Sequence, residues 1–313
     1  KGCFSVSCAR KPWLGHGLFA YRSAHRAVME VESGVLGFSL IPSGIDNVAL
    51  FLIVGGLAVL LVSMAKAGFG GGVGLLSVPM MIIACGDQTQ LATGIMLPIL
   101  IVNDYTAIPA WWGKWSWRPV LLMLPGMAIG TVAGWLILWS FQRLDDSDRV
   151  AGQNTANAAL MLGVGLIALG FVVLQIIRRR RKEPIPFRPV LWQGTCVGAA
   201  AGLTSTMAHA AGPIATIYLL PQRLAKDQFV ATTLLYFWIG NQIKLIPYFF
   251  LGLLSLDAMC GALTFAPAVI LGTLLGVVLN RKVGHREFMG IVYVLLALTG
   301  VHLIYGAVTR LWL

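Results

Sequence analysis

Long apolar runs dominate the chain and predict membrane-spanning helices. Stretches without Asp, Glu, Lys or Arg recur along it, and many approach the ~20 residues that a helix needs to cross a bilayer. The run at 189–222 is too long for one helix, so we expect breaks near Thr204–Ser205–Thr206 and Gly212–Pro213. Allowing a buried charge within a run, we predict ten segments, at 46–66, 70–86, 89–110, 118–140, 154–177, 189–206, 209–221, 228–251, 257–280 and 287–309.

An internal repeat divides these segments into two sets of five. The matching positions are Ala67–Gly68 with Ala201–Gly202, Pro79 with Pro213, Asn103 with Asn241, Pro109 with Pro247, and two P-x4-G-T-x-x-G blocks that begin at Pro125 and Pro267. Because five is an odd number, the second half is inverted in the membrane relative to the first. The fold class that we predict is an all-α polytopic membrane protein built from two inverted five-segment repeats, with broken or short helices at the repeat interface.

The same pattern predicts the organisation of the chain. We expect a basic N-terminal extension at 1–44, a first transmembrane repeat at 45–177, a cytoplasmic basic linker at 178–188, a second transmembrane repeat at 189–309 and a short C-terminal tail at 310–313.

Composition narrows the class of protein. The chain is 58% hydrophobic and 11% charged, whereas soluble domains carry roughly 25% charged residues. A soluble protein or a nucleic-acid binder is therefore excluded, despite the net charge of +11. The basic residues instead fix orientation, since cytoplasmic loops are rich in Lys and Arg. The loops around Lys114, Arg223 and Arg281 then lie on the same side as the basic linker.

A glycine block is the first candidate site. Gly68, Phe69, Gly70, Gly71 and Gly72 lie inside an apolar stretch, where glycine weakens a helix by nearly 1 kcal/mol per residue. Such a break is tolerated in a membrane when it is buried in protein or lines a wet cavity. We expect it to line an anion site; the alternative is close helix packing by small residues.

The matching place in the second half carries hydroxyls instead of glycines. Thr204, Ser205 and Thr206 are candidates to donate to an anion, although they could equally bond to carbonyls one turn back. His209 is a candidate for substrate binding or proton transfer near neutral pH. The alternative is a histidine whose ring is satisfied within a helix interface.

Polar residues at matching positions in two further segments complete the candidates. Asn103 and Asn241 would bind substrate, with Lys244 on the helix face of Asn241. A charge in mid-bilayer is costly, so Asp104 and Lys244 must face protein or water and could pair with each other. Lys244 is a candidate anion ligand and Asp104 a coupling residue. We expect Lys66 to be a cytoplasmic anchor that snorkels; a cation at the site entrance is the alternative.

The glycine block and the repeat together resemble the TauE/SafE sulfite-exporter-type permeases. The similarity rests on Gly68-x-Gly-Gly-Gly with Pro79, its weaker echo from Gly202 to Pro213, and the paired G-T-x-x-G blocks, over roughly 45–309. It implies a multi-pass permease of the bacterial cytoplasmic membrane for small anions of sulfur metabolism, such as sulfite and organosulfonates. The second copy departs from the glycine-rich pattern, which leaves the substrate open.

These observations predict a permease for a small anion, working by alternating access at a midplane site. An anion channel or a carboxylate permease of the same fold is the alternative. An intramembrane enzyme is less well supported, because no paired intramembrane aspartates, His-Glu-x-x-His motif or Ser/His dyad occurs at a suitable spacing. We expect no cofactor, metal or catalytic residue. The expected partners are the anion, the lipid bilayer and a coupling proton or cation, with Asp104 and His209 as the coupling candidates.

Overall fold

Helices make up the regular structure of the computed structural model, which describes residues 40–70, 77–86, 88–141 and 190–312 and individual positions between 158 and 177. The chain divides into two units, Lys1–Leu40 and Ile41–Leu313. The described helices all belong to the second unit.

The first half contributes four helices with described bounds. Helix α1 runs over Val48–Phe69 and contains a π-helical turn at Phe51–Gly55. Helix α2 covers Ser77–Ala84, α3 covers Thr89–Ala107 and α4 covers Trp117–Phe141, with a 3-10 turn at Ile108–Trp111 between α3 and α4. The described positions between 158 and 177 are helical as well.

The second half repeats this order. It contains α5 at Leu191–Ala208, α6 at Ala211–Leu219, α7 at Lys226–Phe250, α8 at Leu256–Thr264, α9 at Ala266–Lys282 and α10 at His285–Trp312. Helices α8 and α9 are bent by 51° at the break between them. The short helices α2 and α6 are the next described helices after α1 and α5, at matching places in the sequence repeat.

Four helices among the described residues are long and apolar enough to cross a membrane: Val48–Phe69, Gln90–Trp111, Trp117–Ser140 and Lys226–Phe250. The bent pair α8–α9 adds a fifth, as a broken span or a re-entrant loop. Large apolar side chains also face outward, with Ile53 70% and Phe249 71% exposed. A bilayer would cover such side chains, so the chain is a multi-pass helical membrane protein; the count of ten spans stays a prediction.

Two close helix pairs join the two halves of the chain, α1 with α9 and α4 with α5, and they are called the exchanged pairs below. Helix α4 packs along α5, and α9 packs along α1, so the first helix of each half lies against the helix of the other half that carries the P-x4-G-T-x-x-G block. Likewise α3 contacts α9 while α7 contacts α4. This reciprocal packing supports the inverted repeat, because a two-fold relation between the halves requires contacts to occur in matching pairs.

Glycines set the spacing within both exchanged pairs. A Cβ atom at Gly272 or Gly276 of α9 would collide with a backbone carbonyl of α1, and one at Gly126 or Gly130 of α4 would collide with a carbonyl of α5. Small residues let helix backbones approach closely where lipid gives no hydrophobic drive for association. The G-T-x-x-G blocks therefore serve helix packing.

The basic loops meet at one end of the helices. Lys114 Nζ lies 2.7 Å from Asp227 Oδ2, which joins the loop after α3 to the start of α7. Lys226 Nζ donates to the carbonyls of Asn280 at 2.6 Å and Val283 at 2.8 Å, near the end of α9. This common location agrees with the assignment of all three loops to one membrane side.

A second set of loop contacts lies at the other end of α3. The Gln88 amide donates to the Gly44 carbonyl at 2.9 Å, and the Ser43 hydroxyl bonds to the Asp257 carboxylate. The segment before α1 therefore lies beside the starts of α3 and α8, at the end away from the basic loops.

Candidate functional site

A cavity of about 40 Å³ lies between α1, α3, α5, α6 and α7. A cavity needs about 10–15 Å³ of volume open to the centre of a water molecule to hold one water, so this cavity has room for a small solute. Its polar lining consists of Lys66, Ser205, His209, Asn241 and Lys244. The remaining wall is formed by Val62, Met96, Leu100, Ala211, Gly212 and Phe237.

The break between α5 and α6 lies beside this cavity. His209 ends α5 in the left-handed region, with φ 50° and ψ 31°, which residues other than Gly, Asn and Asp rarely adopt. The next helix begins at Ala211, and its N-cap residue Ala210 provides no side-chain hydrogen bond. The first amides of α6, including that of Gly212 in the cavity wall, have no partner within the helix. The positive end of the α6 dipole therefore borders the cavity.

Both nitrogens of the His209 ring have hydrogen-bond partners. Its Nδ1 lies 3.2 Å from Lys244 Nζ, and its Nε2 lies 3.2 Å from Tyr248 Oη and 3.3 Å from the Thr93 carbonyl. Because an ammonium group only donates, Nδ1 is the acceptor and Nε2 carries the proton. Tyr248 in turn donates to the Thr206 carbonyl at 2.9 Å. The ring is therefore neutral and donates away from the cavity lysine.

Lys244 is buried, with 1% of its surface exposed. Its ammonium group contacts the His209 ring and lies 3.5 Å from the Ser205 carbonyl. The ion pairs found in the described part of the chain join Lys66 to Asp104 and Lys114 to Asp227. Lys244 thus has neutral partners there, and its charge faces the cavity.

Asp104 and Lys244, which could have paired with each other, do not form an ion pair, since Asp104 pairs with Lys66. Lys66 Nζ lies 2.5 Å from Asp104 Oδ1, and only 4% of Lys66 is exposed. Its ammonium also lies 5.7 Å from the centroid of the Phe237 ring. The expectation that Lys66 snorkels as a cytoplasmic anchor is wrong. The alternative, a cation at the site, agrees with its place in the lining.

The two asparagines at matching positions differ in their partners. Asn103 Nδ2 donates to Thr273 Oγ1 at 2.7 Å, between α3 and α9. Asn241 Nδ2 instead donates to Asp104 Oδ2 at 2.7 Å, between α7 and α3. Only Asn241 belongs to the cavity lining, whereas Asn103 lies in a helix interface. Asn103 therefore does not reach the cavity, and its predicted contact with substrate is not supported by this structure.

The three hydroxyl residues of α5 also differ in what they contact. Thr204 donates to the Ala200 carbonyl at 2.8 Å and Thr206 to the Gly202 carbonyl at 2.8 Å, one turn back in the same helix. Ser205 lines the cavity. The break expected near these residues instead falls at His209, because the back-bonded hydroxyls leave the helix intact through Ala208.

The described part of the glycine block lies outside the cavity lining. A Cβ at Gly68 would come within 2.5 Å of the Gly276 carbonyl oxygen, so Gly68 serves close packing, the alternative that the sequence left open. Phe69 is buried in the core, and Gly70 ends α1 in the left-handed region with φ 74°. Gly71 and Gly72 lie outside the described residues, and their role stays a prediction.

One signal for Lys66 was present in the sequence. It is the only charged residue between Asp46 and Asp87, about 20 positions from either, as expected for a residue deep in a membrane protein. Tyr248, which positions His209, had no comparable signal, because a tyrosine in an apolar segment is common in helix cores.

A helical multi-pass membrane protein with a broken helix beside a buried polar cavity has features of membrane transporters. The family model for the TauE/SafE sulfite exporters matches residues 55–303, most of the chain. The protein therefore belongs to the TauE/SafE family and is a membrane transporter, not an enzyme. Comparison with curated proteins and with solved structures found no match.

Proposed function

We propose that this protein moves a small sulfur anion, sulfite or an organosulfonate, across the bacterial cytoplasmic membrane by alternating access. The observation that carries the proposal is the buried ammonium group of Lys244, which faces the cavity without a carboxylate partner among the described residues. A charge in this environment is costly unless it is paired. An anion in the cavity supplies the missing partner.

The cavity offers neutral donors beside this charge. Asn241 and Ser205 lie in its wall, and the first-turn amides of α6 border it. Backbone amides at a helix N-terminus are well suited to the oxygens of a sulfonate or sulfite. Transporters with discontinuous helices point the N-termini of their half-helices at the anionic groups of the substrate.

Alternating access is supported by the unequal bonds of the two asparagines. The repeat pairs Asn103 with Asn241 and Thr273 with Thr131, yet only Asn103 bonds to its threonine. The Thr131 hydroxyl is buried without a hydrogen-bond partner. If the halves exchange conformations, Asn241 donates to Thr131 in the opposite-facing state, and the Asn103–Thr273 bond opens.

Flux of labelled sulfite into proteoliposomes tests the proposal. Lys244→Ala removes the unpaired cation, and we expect uptake to fall at least tenfold, because the anion loses its countercharge. Lys114→Ala is the matched control, since Lys114 is half exposed in a loop contact away from the cavity. Wild-type flux in a folded Lys244→Ala protein would overturn the site.

Counter-flow separates a carrier from a channel. Vesicles preloaded with unlabelled sulfite should accumulate labelled sulfite transiently if one site is exposed alternately to each side. A short carboxylate offered in the same assay tests the carboxylate-permease alternative. Flux that neither saturates nor shows counter-flow would indicate a channel.

A further inference from the structure

Asp104 lies directly behind the cavity and contacts two residues of its polar wall. Its side chain is fully buried. One carboxylate oxygen pairs with Lys66 at 2.5 Å and the other accepts from Asn241 at 2.7 Å. Asp104 itself is absent from the lining. It therefore reaches a bound anion only through these two neighbours.

Resting on the function proposed above, we propose that Asp104 is a specificity-determining residue that limits the site to monoanions. Its carboxylate cancels the charge of Lys66, so the cavity presents the single countercharge of Lys244. Hydrogensulfite and alkanesulfonates, each with one negative charge, match this site. Sulfate and other dianions do not.

The remaining groups that face the cluster add no charge. His209 accepts from Lys244 at Nδ1 and donates from Nε2, which makes the ring neutral. Tyr248 is a hydroxyl donor to a backbone carbonyl. The net charge is thus two lysines minus one aspartate, or +1, over the described residues that line or adjoin the cavity.

Burial turns this balance into selectivity. Charges in an environment of low dielectric constant interact far more strongly than in water, and an uncompensated buried charge is unfavourable. A monoanion beside Lys244 leaves no net charge in the cluster, whereas a dianion leaves one negative charge. Shape cannot provide this discrimination between methanesulfonate and sulfate, which are both tetrahedral and similar in size.

Binding of methanesulfonate and sulfate to the purified protein tests the proposal. We expect the wild-type protein to prefer methanesulfonate at least tenfold. Asp104→Asn keeps the side-chain shape but exposes the charge of Lys66, so the affinity for sulfate should rise at least tenfold relative to that for methanesulfonate. The double variant Lys66→Gln/Asp104→Asn removes both charges of the pair and should keep the wild-type preference.

Three results would overturn the proposal: equal affinities in the wild-type protein, an unchanged preference in Asp104→Asn, or a lost preference in the double variant. The first and third apply even if Asp104→Asn does not fold. These failures differ from failure of the proposed function. If Lys244→Ala binds methanesulfonate as well as the wild-type protein does, the cavity is not the anion site. If Lys244→Ala binds neither anion, the cavity is the anion site, and the ratio of the affinities for methanesulfonate and sulfate then tests the role of Asp104.

Discussion

The ends of helices α1 and α5 occupy equivalent places in the two repeats but differ in chemistry. Both helices terminate in the left-handed region, at Gly70 with φ 74° and at His209 with φ 50°. In the first half the residues before the break pack against α9, as the contact of Gly68 with Gly276 shows. In the second half Ser205 and His209 line the cavity. Both helices thus end in the same backbone conformation, while the polar side chains that line the cavity lie mostly in the second half.

Lys66 is the polar lining residue that comes from the first half, and its substitution should have the largest effect on stability. Its removal leaves Asp104 buried without its ion-pair partner, and breaking a buried pair costs about 3–5 kcal/mol. The matched control is Lys114→Ala, because an exposed pair contributes only about 0–1 kcal/mol. Thermal unfolding of Lys66→Ala and Lys114→Ala in detergent measures both. Equal shifts in melting temperature would contradict the burial of the Lys66–Asp104 pair.

Glycine packing should be the feature that the two halves share. Gly68 of α1 and Gly202 of α5 each meet a backbone carbonyl of the exchanged helix, so alanine at either position should destabilise the protein by about 1–3 kcal/mol through overpacking. Gly56→Ala is the control on α1, since its Cβ would meet only Phe265 at 4.0 Å. A loss at one position without a loss at the other would break the equivalence of the two helix pairs.

The sequence predicted the helices better than the site. Runs without charge located α1, α3, α4 and α7 to within a few residues, because apolar length is a local property. The breaks were harder to locate. Thr204 and Thr206 suggested a break, but back-bonding allows hydroxyls to remain inside a helix, and the chain turns at His209 instead.

Side-chain partners were the least predictable feature. The sequence allowed Asp104 to pair with Lys244, yet Asp104 pairs with Lys66 from a third helix. Sequence spacing specifies which residues share a helix face, but the choice between two lysines depends on how α1, α3 and α7 pack. That packing depends on glycine contacts between distant segments, which no single helix pattern contains.

Substitutions at the two left-handed residues, Gly70 and His209, test whether the first helix end serves packing and the second serves the cavity. His209→Gly loses hydrogen bonds worth about 0.5–1.5 kcal/mol each, but it also relieves backbone strain of roughly 1–2 kcal/mol, which offsets part of that loss. Stability should therefore fall only moderately, while sulfite flux falls strongly. In the first half, Gly70→Ala adds strain and brings a Cβ within 2.9 Å of the Phe229 ring, so stability should fall. Melting temperature and flux, measured on both variants, give the comparison; a large stability loss in His209→Gly would contradict it.

The smallest expected effect tests whether the halves exchange roles during transport. Thr131→Val removes a hydroxyl that has no hydrogen-bond partner in this state but would be the partner of Asn241 in the opposite one, so it should favour this state. Thr273→Val removes the acceptor of Asn103 and should favour the opposite state.

A cysteine at Ser205, in a background with the native cysteines replaced, reports which side the cavity faces through its reaction with an impermeant thiol reagent added to either side. One hydrogen bond contributes about 0.5–1.5 kcal/mol, so each variant should change the ratio of the two reaction rates by roughly 2- to 10-fold, in opposite directions. Shifts in the same direction would mean that the two threonines serve packing alone, because only an exchange between halves makes the loss of one acceptor the mirror image of the loss of the other.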